Sequence, residues 1–304
     1  MNKKLYTNTL FVAICAIICC ALWGSATPFI KLGYKFLEVK GTPSIIMFAG
    51  IRFFIAGMLT IIIYSVARGR VLYPKRQNIG CVVKLSAFQT VIQYIFFYIG
   101  LANTTGVKGT IGSASNVFFA ILIASLIFKQ EKLTFKKLFA CAIGFAGIIV
   151  VNLKGLDLKF NFFGDCFVIF SAIAYATSSV LMKRYSQHED PVVLSGYQFV
   201  IGGLVMAVTG AILGGSLSLE NAAGIGVLIY LSFLSAIAYA LWGILLKHNP
   251  VSKVTVYSFS IPVFGVALSA LFLNESGNVS PVNLIIALAL ICAGVLLLNY
   301  KKER

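Results

Sequence analysis

Along the 304 residues, apolar positions gather into ten long runs, with polar ones confined to short stretches between them. The runs fall at 9-30, 45-66, 85-102, 109-128, 138-153, 164-182, 192-214, 224-246, 254-273 and 282-299. Most come close to the roughly 20 helical residues that cross a hydrocarbon core about 30 Å thick. The shortest, 138-153, qualifies by its match to 282-299 in the second half more than by its own length. The pattern predicts an all-α integral membrane protein of ten transmembrane helices. The first run is too long for the core of a cleavable signal peptide and lacks a small-residue cleavage site after it, so it is expected to remain as the first span.

The pattern also occurs twice. Thr104-Thr105-Gly106-Val107-Lys108-Gly109-Thr110 returns 145 positions later as Asn249-Pro250-Val251-Ser252-Lys253-Val254-Thr255, and each copy opens an apolar run that closes on a glutamate, Glu131 or Glu275. The following helices end alike, Gly147 to Asn152 and Gly294 to Asn299. Internal symmetry at half the chain length is a mark of repeat-built transporters. With five spans per half, the second half enters the membrane from the other side, so the repeats are inverted: 1-153, a connection at 154-163, and 164-304.

Composition fixes the solvent and charge fixes the orientation. At 59% hydrophobic and 11% charged residues, the chain has too few polar side chains to cover a soluble globule. If the N-terminus faces the cytoplasm, 18 of the 25 Lys and Arg residues fall in inside segments, six outside, and Arg52 alone within a span. That bias places both termini in the cytoplasm, with the cell membrane as the expected location. The net charge of +16 is then a topology signal that requires no nucleic acid.

Ala21-Leu-Trp-Gly-Ser-Ala-Thr-Pro-Phe-Ile-Lys31 in the first span, Arg52-Phe53 in the second and Phe128-Lys-Gln-Glu131-Lys-Leu-Thr134 leaving the fourth form an ordered series. It continues through Gly164-Asp165, Ile261-Pro262-Val263-Phe264 and Phe272-Leu273-Asn274-Glu275. The series resembles EamA-type members of the drug/metabolite transporter superfamily. That resemblance implies a fold of two five-helix repeats and transport of small metabolites, often export of amino acids or related compounds.

Candidate binding residues follow from helical spacing. Trp23, Thr27 and Lys31 stack at i, i+4 and i+8, and Tyr175, Ser179 and Lys183 repeat that order in the sixth span. Rings on two symmetry-related helices can bracket an amphipathic solute; equally, rings pack at interfaces and lysines snorkel. In the third span Gln89 and Gln93 form an amide stripe beside Tyr94 and Tyr98, suited either to a polar solute or to hydrogen bonds between helices. The 145-residue offset sets Tyr239 opposite Tyr94 and Trp242 opposite Phe97, while Leu234 and Ala238 replace the glutamines. Spans four and nine add Asn116 and Ser260 among other small polar residues. Pro28 and Pro262 mark expected kinks. The cavity is expected between spans 1, 3, 4, 6, 8 and 9, with 2 and 7 rocking and 5 and 10 bracing the outside.

Other chemistry is thinly represented. Arg52 requires a partner, either helix-end carbonyls or an anionic solute group, for which a carboxylate is the fit. The acidic residues fall in loops or at span ends, so a carboxylate proton relay is not expected. The seven cysteines show no metal spacing, and His188 and His248 have no nucleophile beside them, so neither an enzyme nor a metal site is expected. No GxxxxGK[ST] loop occurs. No cofactor is expected, and the partners are a small-molecule solute and the lipid bilayer, with a monomer sufficient. Larger polar metabolites, such as nucleoside or sugar derivatives taken up or exchanged, form the alternative substrate class.

Overall fold

A computed structural model describes residues 3–153, 159–273 and 281–299. Ten long helices follow a short one at Lys3–Thr7. They are α1 (Thr9–Phe36), α2 (Gly41–Arg68), α3 (Arg76–Ala102), α4 (Gly106–Ile127) and α5 (Phe135–Val151), then α6 (Phe162–Tyr185), α7 (Pro191–Ile212) and α8 (Ala222–His248). α9 comprises Val251–Thr255, a 3-10 turn Val256–Ser260 and Ile261–Leu273, and α10 is Pro281–Asn299. No strand occurs among the described residues. Glu275 and residues 154–158, half of the 154-163 connection, lie outside them.

The helices overrun the apolar runs because their ends can be polar. α1 and α2 each have 28 residues, about 42 Å of helix, so their last turns stand beyond a hydrocarbon core of about 30 Å. α5, with 17 residues, is the shortest of the ten and reaches about 26 Å. Starts are set by side-chain caps: Asn8, Thr105, Thr134, Asn161, Asp190 and Asn221 each accept a backbone N–H from the first turn of α1, α4, α5, α6, α7 and α8. At α6 the cap is reciprocal, since Asp165 Oδ2 accepts from the N–H of Asn161 at 2.9 Å.

Helix pairing shows the inverted repeat directly. α1 packs against α8 and α9 of the other half, and α6 packs correspondingly against α3 and α4. α2 pairs with α7, and α5 with α10, each helix with its own counterpart. Such self-pairing is what a twofold axis in the membrane plane produces. In lipid, helices gain little by hiding apolar surface from one another, so close backbone approach at small residues carries the contact. A Cβ on Gly57 of α2 would lie 2.6 Å from the Gly196 carbonyl of α7, and one on Gly294 of α10 would lie 2.6 Å from the Ala140 carbonyl of α5.

Both α4 and α9 break near their middles, at positions 145 apart. Ser115 interrupts α4 and donates its hydroxyl to the Gly112 carbonyl at 2.5 Å; Ser260 ends the 3-10 turn of α9 and donates to the Tyr257 carbonyl at 2.7 Å. The α9 break precedes Pro262, which has no N–H to continue the ladder. α4 reaches the same interruption without a proline. Discontinuous helices of this kind leave backbone groups facing the interior of transporters.

Candidate solute-binding site

A cluster of rings stands at the centre of the bundle. Trp23 of α1 meets Tyr239 and Trp242 of α8 edge-on, with centroids 5.0 Å apart in each pair. The hydroxyls of Tyr239 and Tyr94 are 3.0 Å apart. These two are repeat-mates, and a residue meets its own mate only on the symmetry axis, so this hydrogen bond marks where the axis passes. Tyr98 and Tyr175 are buried in the same cluster. Offset pairs and edge-to-face pairs at such distances are the favoured geometries of aromatic contact.

α2 and α7 contribute to this centre, contrary to the expectation that spans 1, 3, 4, 6, 8 and 9 line it. Phe53 of α2 lies 4.5 Å from Tyr94 and stacks on Phe199 of α7 at 5.0 Å, and Phe199 meets Tyr239 edge-on at 4.8 Å. The cause is the α2–α7 pairing on the axis, which brings both helices to the middle. Arg52, one residue before Phe53, is 4% exposed, and its guanidinium carbon lies 4.3 Å from the centre of that ring. The Arg52 charge is felt by the hydroxyls of Tyr34, Tyr98 and Tyr239.

Several buried polar atoms have no protein partner, among them Trp23 Nε1, Trp242 Nε1, Gln89 Oε1, Gln93 Oε1, Asn116 Oδ1 and Arg52 Nε. Buried polar groups in folded proteins are nearly always paired, so these atoms stand out as open to a further hydrogen-bond partner. Gln89 sits within a π-helical turn, Ala87–Ile92, which loosens α3 and offsets Gln89 from the straight stripe expected with Gln93. Beside it Thr90 donates to Gln198 of α7 at 2.6 Å, leaving Gln198 Nε2 unpaired.

The hydroxyls expected beside the rings are placed differently. Ser179 is 1% exposed and donates to its own helix at the Tyr175 carbonyl, 3.1 Å away, because a serine at i+4 reaches the preceding turn. Ser260 is likewise committed to Tyr257, and Asn116 Nδ2 donates to the Ser113 carbonyl at 2.7 Å, leaving only its oxygen free. Thr27 is exposed, and its side chain faces Gly265 of α9 and not the rings. Lys183 serves the end of α8, donating to the Lys247 carbonyl at 3.1 Å and the Asn249 carbonyl at 2.8 Å. Glu131 performs a similar task between the halves, accepting from Lys137 Nζ at 2.9 Å and from the hydroxyl and N–H of Ser252 at 2.6 and 3.1 Å.

Two inverted five-helix halves, crossing the membrane ten times and enclosing a ring-lined polar centre, define a multi-pass membrane transporter. The chain belongs to the EamA-like transporter family, whose model matches residues 10–153 and again 162–300. An uncharacterized transporter of Bacillus subtilis, YvbV, is 25% identical over 93% of this chain and 89% of its own length. Proteins named as probable amino-acid metabolite efflux pumps are similar too: that of Escherichia coli is 26% identical over 86% of this chain and 87% of its own, and that of Salmonella typhimurium 25% over 86% of each. A solved crystal structure shares the fold with a TM-score of 0.75 over 94% of this chain and 97% of that one, at 18% identity.

Proposed function

We propose that this protein is a secondary transporter that exports amino acids or related small amphipathic solutes from the cell by alternating access, with both termini in the cytoplasm. The observation that carries this reading is the group of unpaired polar atoms set among aromatic faces on the repeat axis. Rings offer an apolar wall, and Trp23 Nε1, Gln89 and Gln93 offer hydrogen bonds in both directions. The names of the Escherichia coli and Salmonella typhimurium relatives support amino acids as the class. The six described carboxylates, at Glu38, Glu131, Asp165, Glu189, Asp190 and Glu220, all lie at helix ends or in connections, so this reading uses no carboxylate relay inside the membrane.

Purified protein in proteoliposomes, tested against labelled amino acids, checks the proposal. Flux is expected for at least one amphipathic amino acid, and Trp23→Ala or Gln93→Ala should lower it by roughly tenfold or more, the loss of one or two buried contacts. Flux of nucleosides or sugars with none of any amino acid would replace this substrate class with the larger polar one.

A further inference from the structure

We propose that Arg52 anchors a carboxylate of the transported solute, so that the site takes organic acids and amino acids with an aromatic or apolar body and rejects their carboxylate-free analogues. The assignment rests on the ring cluster being the solute site. Arg52 is the twelfth residue of a 28-residue helix and lies inside its apolar run, 45-66. A charge within the membrane costs about 2.5–3.5 kcal/mol on insertion scales unless it is matched. The protein matches it incompletely. The Phe53 ring face attracts it, yet Nε has no hydrogen-bond partner, although the side chain is nearly sealed from solvent.

The surroundings show what is missing. Tyr34, Tyr98 and Tyr239, on which its charge acts, bring hydroxyls, while the six described carboxylates all lie at helix ends or in connections. Neutral dipoles reduce the cost of a buried cation but leave a net positive charge at the centre. A solute carboxylate would complete the pairing, accepting from Nε and from a phenol, while Trp23 Nε1 supplies a further free donor in the same cluster. A solute ammonium without a carboxylate would meet a fixed like charge instead. The free acceptors on α3, Gln93 Oε1 and Gln89 Oε1, lie five and nine residues from Tyr98 toward the N-terminal end of that helix, about 7 and 13 Å along its axis.

The molecule carries its own reporter. Its two tryptophans, Trp23 and Trp242, are in ring contact in this cluster, so their emission reads occupancy independently of flux. The full-length protein would be titrated with phenylalanine, phenylalaninamide, phenylacetate and phenylacetamide. The two acids should change the emission saturably, and the two amides should bind about tenfold more weakly or worse. Arg52→Gln should abolish that preference, and Arg52→Lys should retain part of it. The comparison of acid with amide in the unaltered protein stands even if neither variant folds. Equal binding of acids and amides would overturn the carboxylate assignment and leave the ring cluster as a solute site. If none of the four changes the emission, the site and the assignment both fall.

Discussion

At the scale of single residues, the contact between Tyr94 and Tyr239 is a hydrogen bond between a half-buried and a buried phenol. Tyr94→Phe or Tyr239→Phe alone would strand one buried hydroxyl and should cost about 1–3 kcal/mol of stability. The double replacement strands nothing, so it should be less damaging than the sum of the singles, a coupling readable by thermal unfolding in detergent. Much of this residue-level arrangement was legible in the sequence: the rings were marked by four-residue spacing, and the 145-residue offset already paired Tyr94 with Tyr239. What spacing could not reveal is how a hydroxyl is spent. Ser179 and Ser260 sit at the expected heights but bond to their own helices, a choice made by local backbone geometry. The surroundings of Arg52 were equally hidden, because Tyr34, Tyr98 and Tyr239, which feel its charge, belong to α1, α3 and α8, and only the three-dimensional pairing brings those helices together.

At the scale of elements, connections on the face where α1 begins hold helix pairs in register. Glu189, between α6 and α7, accepts from Asn78 Nδ2 and from the Lys75 N–H, both at 2.9 Å, and so ties the start of α3 to the start of α7. Burial pushes the Glu189 carboxyl upward, but these bonds, that from the Asp190 N–H and the Lys75 charge together outweigh it and hold the group below its ordinary 4.5. A lowered folded value means that the ionised form stabilises the fold; the contribution is complete above about pH 4.5 and is lost as pH falls through the lower folded value. Glu189→Gln should therefore lower the melting temperature near neutral pH and flatten its dependence between about pH 5 and 3, measured by unfolding across that range. Helix number and order were in plain view in the apolar runs. The π-helical turn at Ala87–Ile92 and the break at Ser115 were not, since neither carries a proline and both arise from how α3 and α4 pack against the other half.

At the scale of the whole molecule, most long contacts run between the halves and not within them: α1 with α8 and α9, α6 with α3 and α4, α2 with α7, α5 with α10. The 145-residue repeat foretold this exchange, but it did not foretell that α2 and α7 would reach the centre, because a sequence repeat identifies mates without showing which of them lie on the axis. Stability consequently depends little on the covalent connection at 154-163. Two polypeptides, 1–153 and 159–304, expressed together should copurify as a complex, whereas either expressed alone should be degraded or aggregate; tagging one half and blotting for the other decides it. The tyrosine pair on the axis also bears on how far the halves can differ. An arrangement in which a residue touches its own counterpart is the interface of an antiparallel homodimer, and such a dimer forms only if one polypeptide inserts into the bilayer in both orientations. Here a single chain supplies both orientations, so its halves need not be identical: glutamines stand on α3 where Leu234 and Ala238 stand on α8, a chemical lopsidedness at the centre that a dimer of identical subunits excludes.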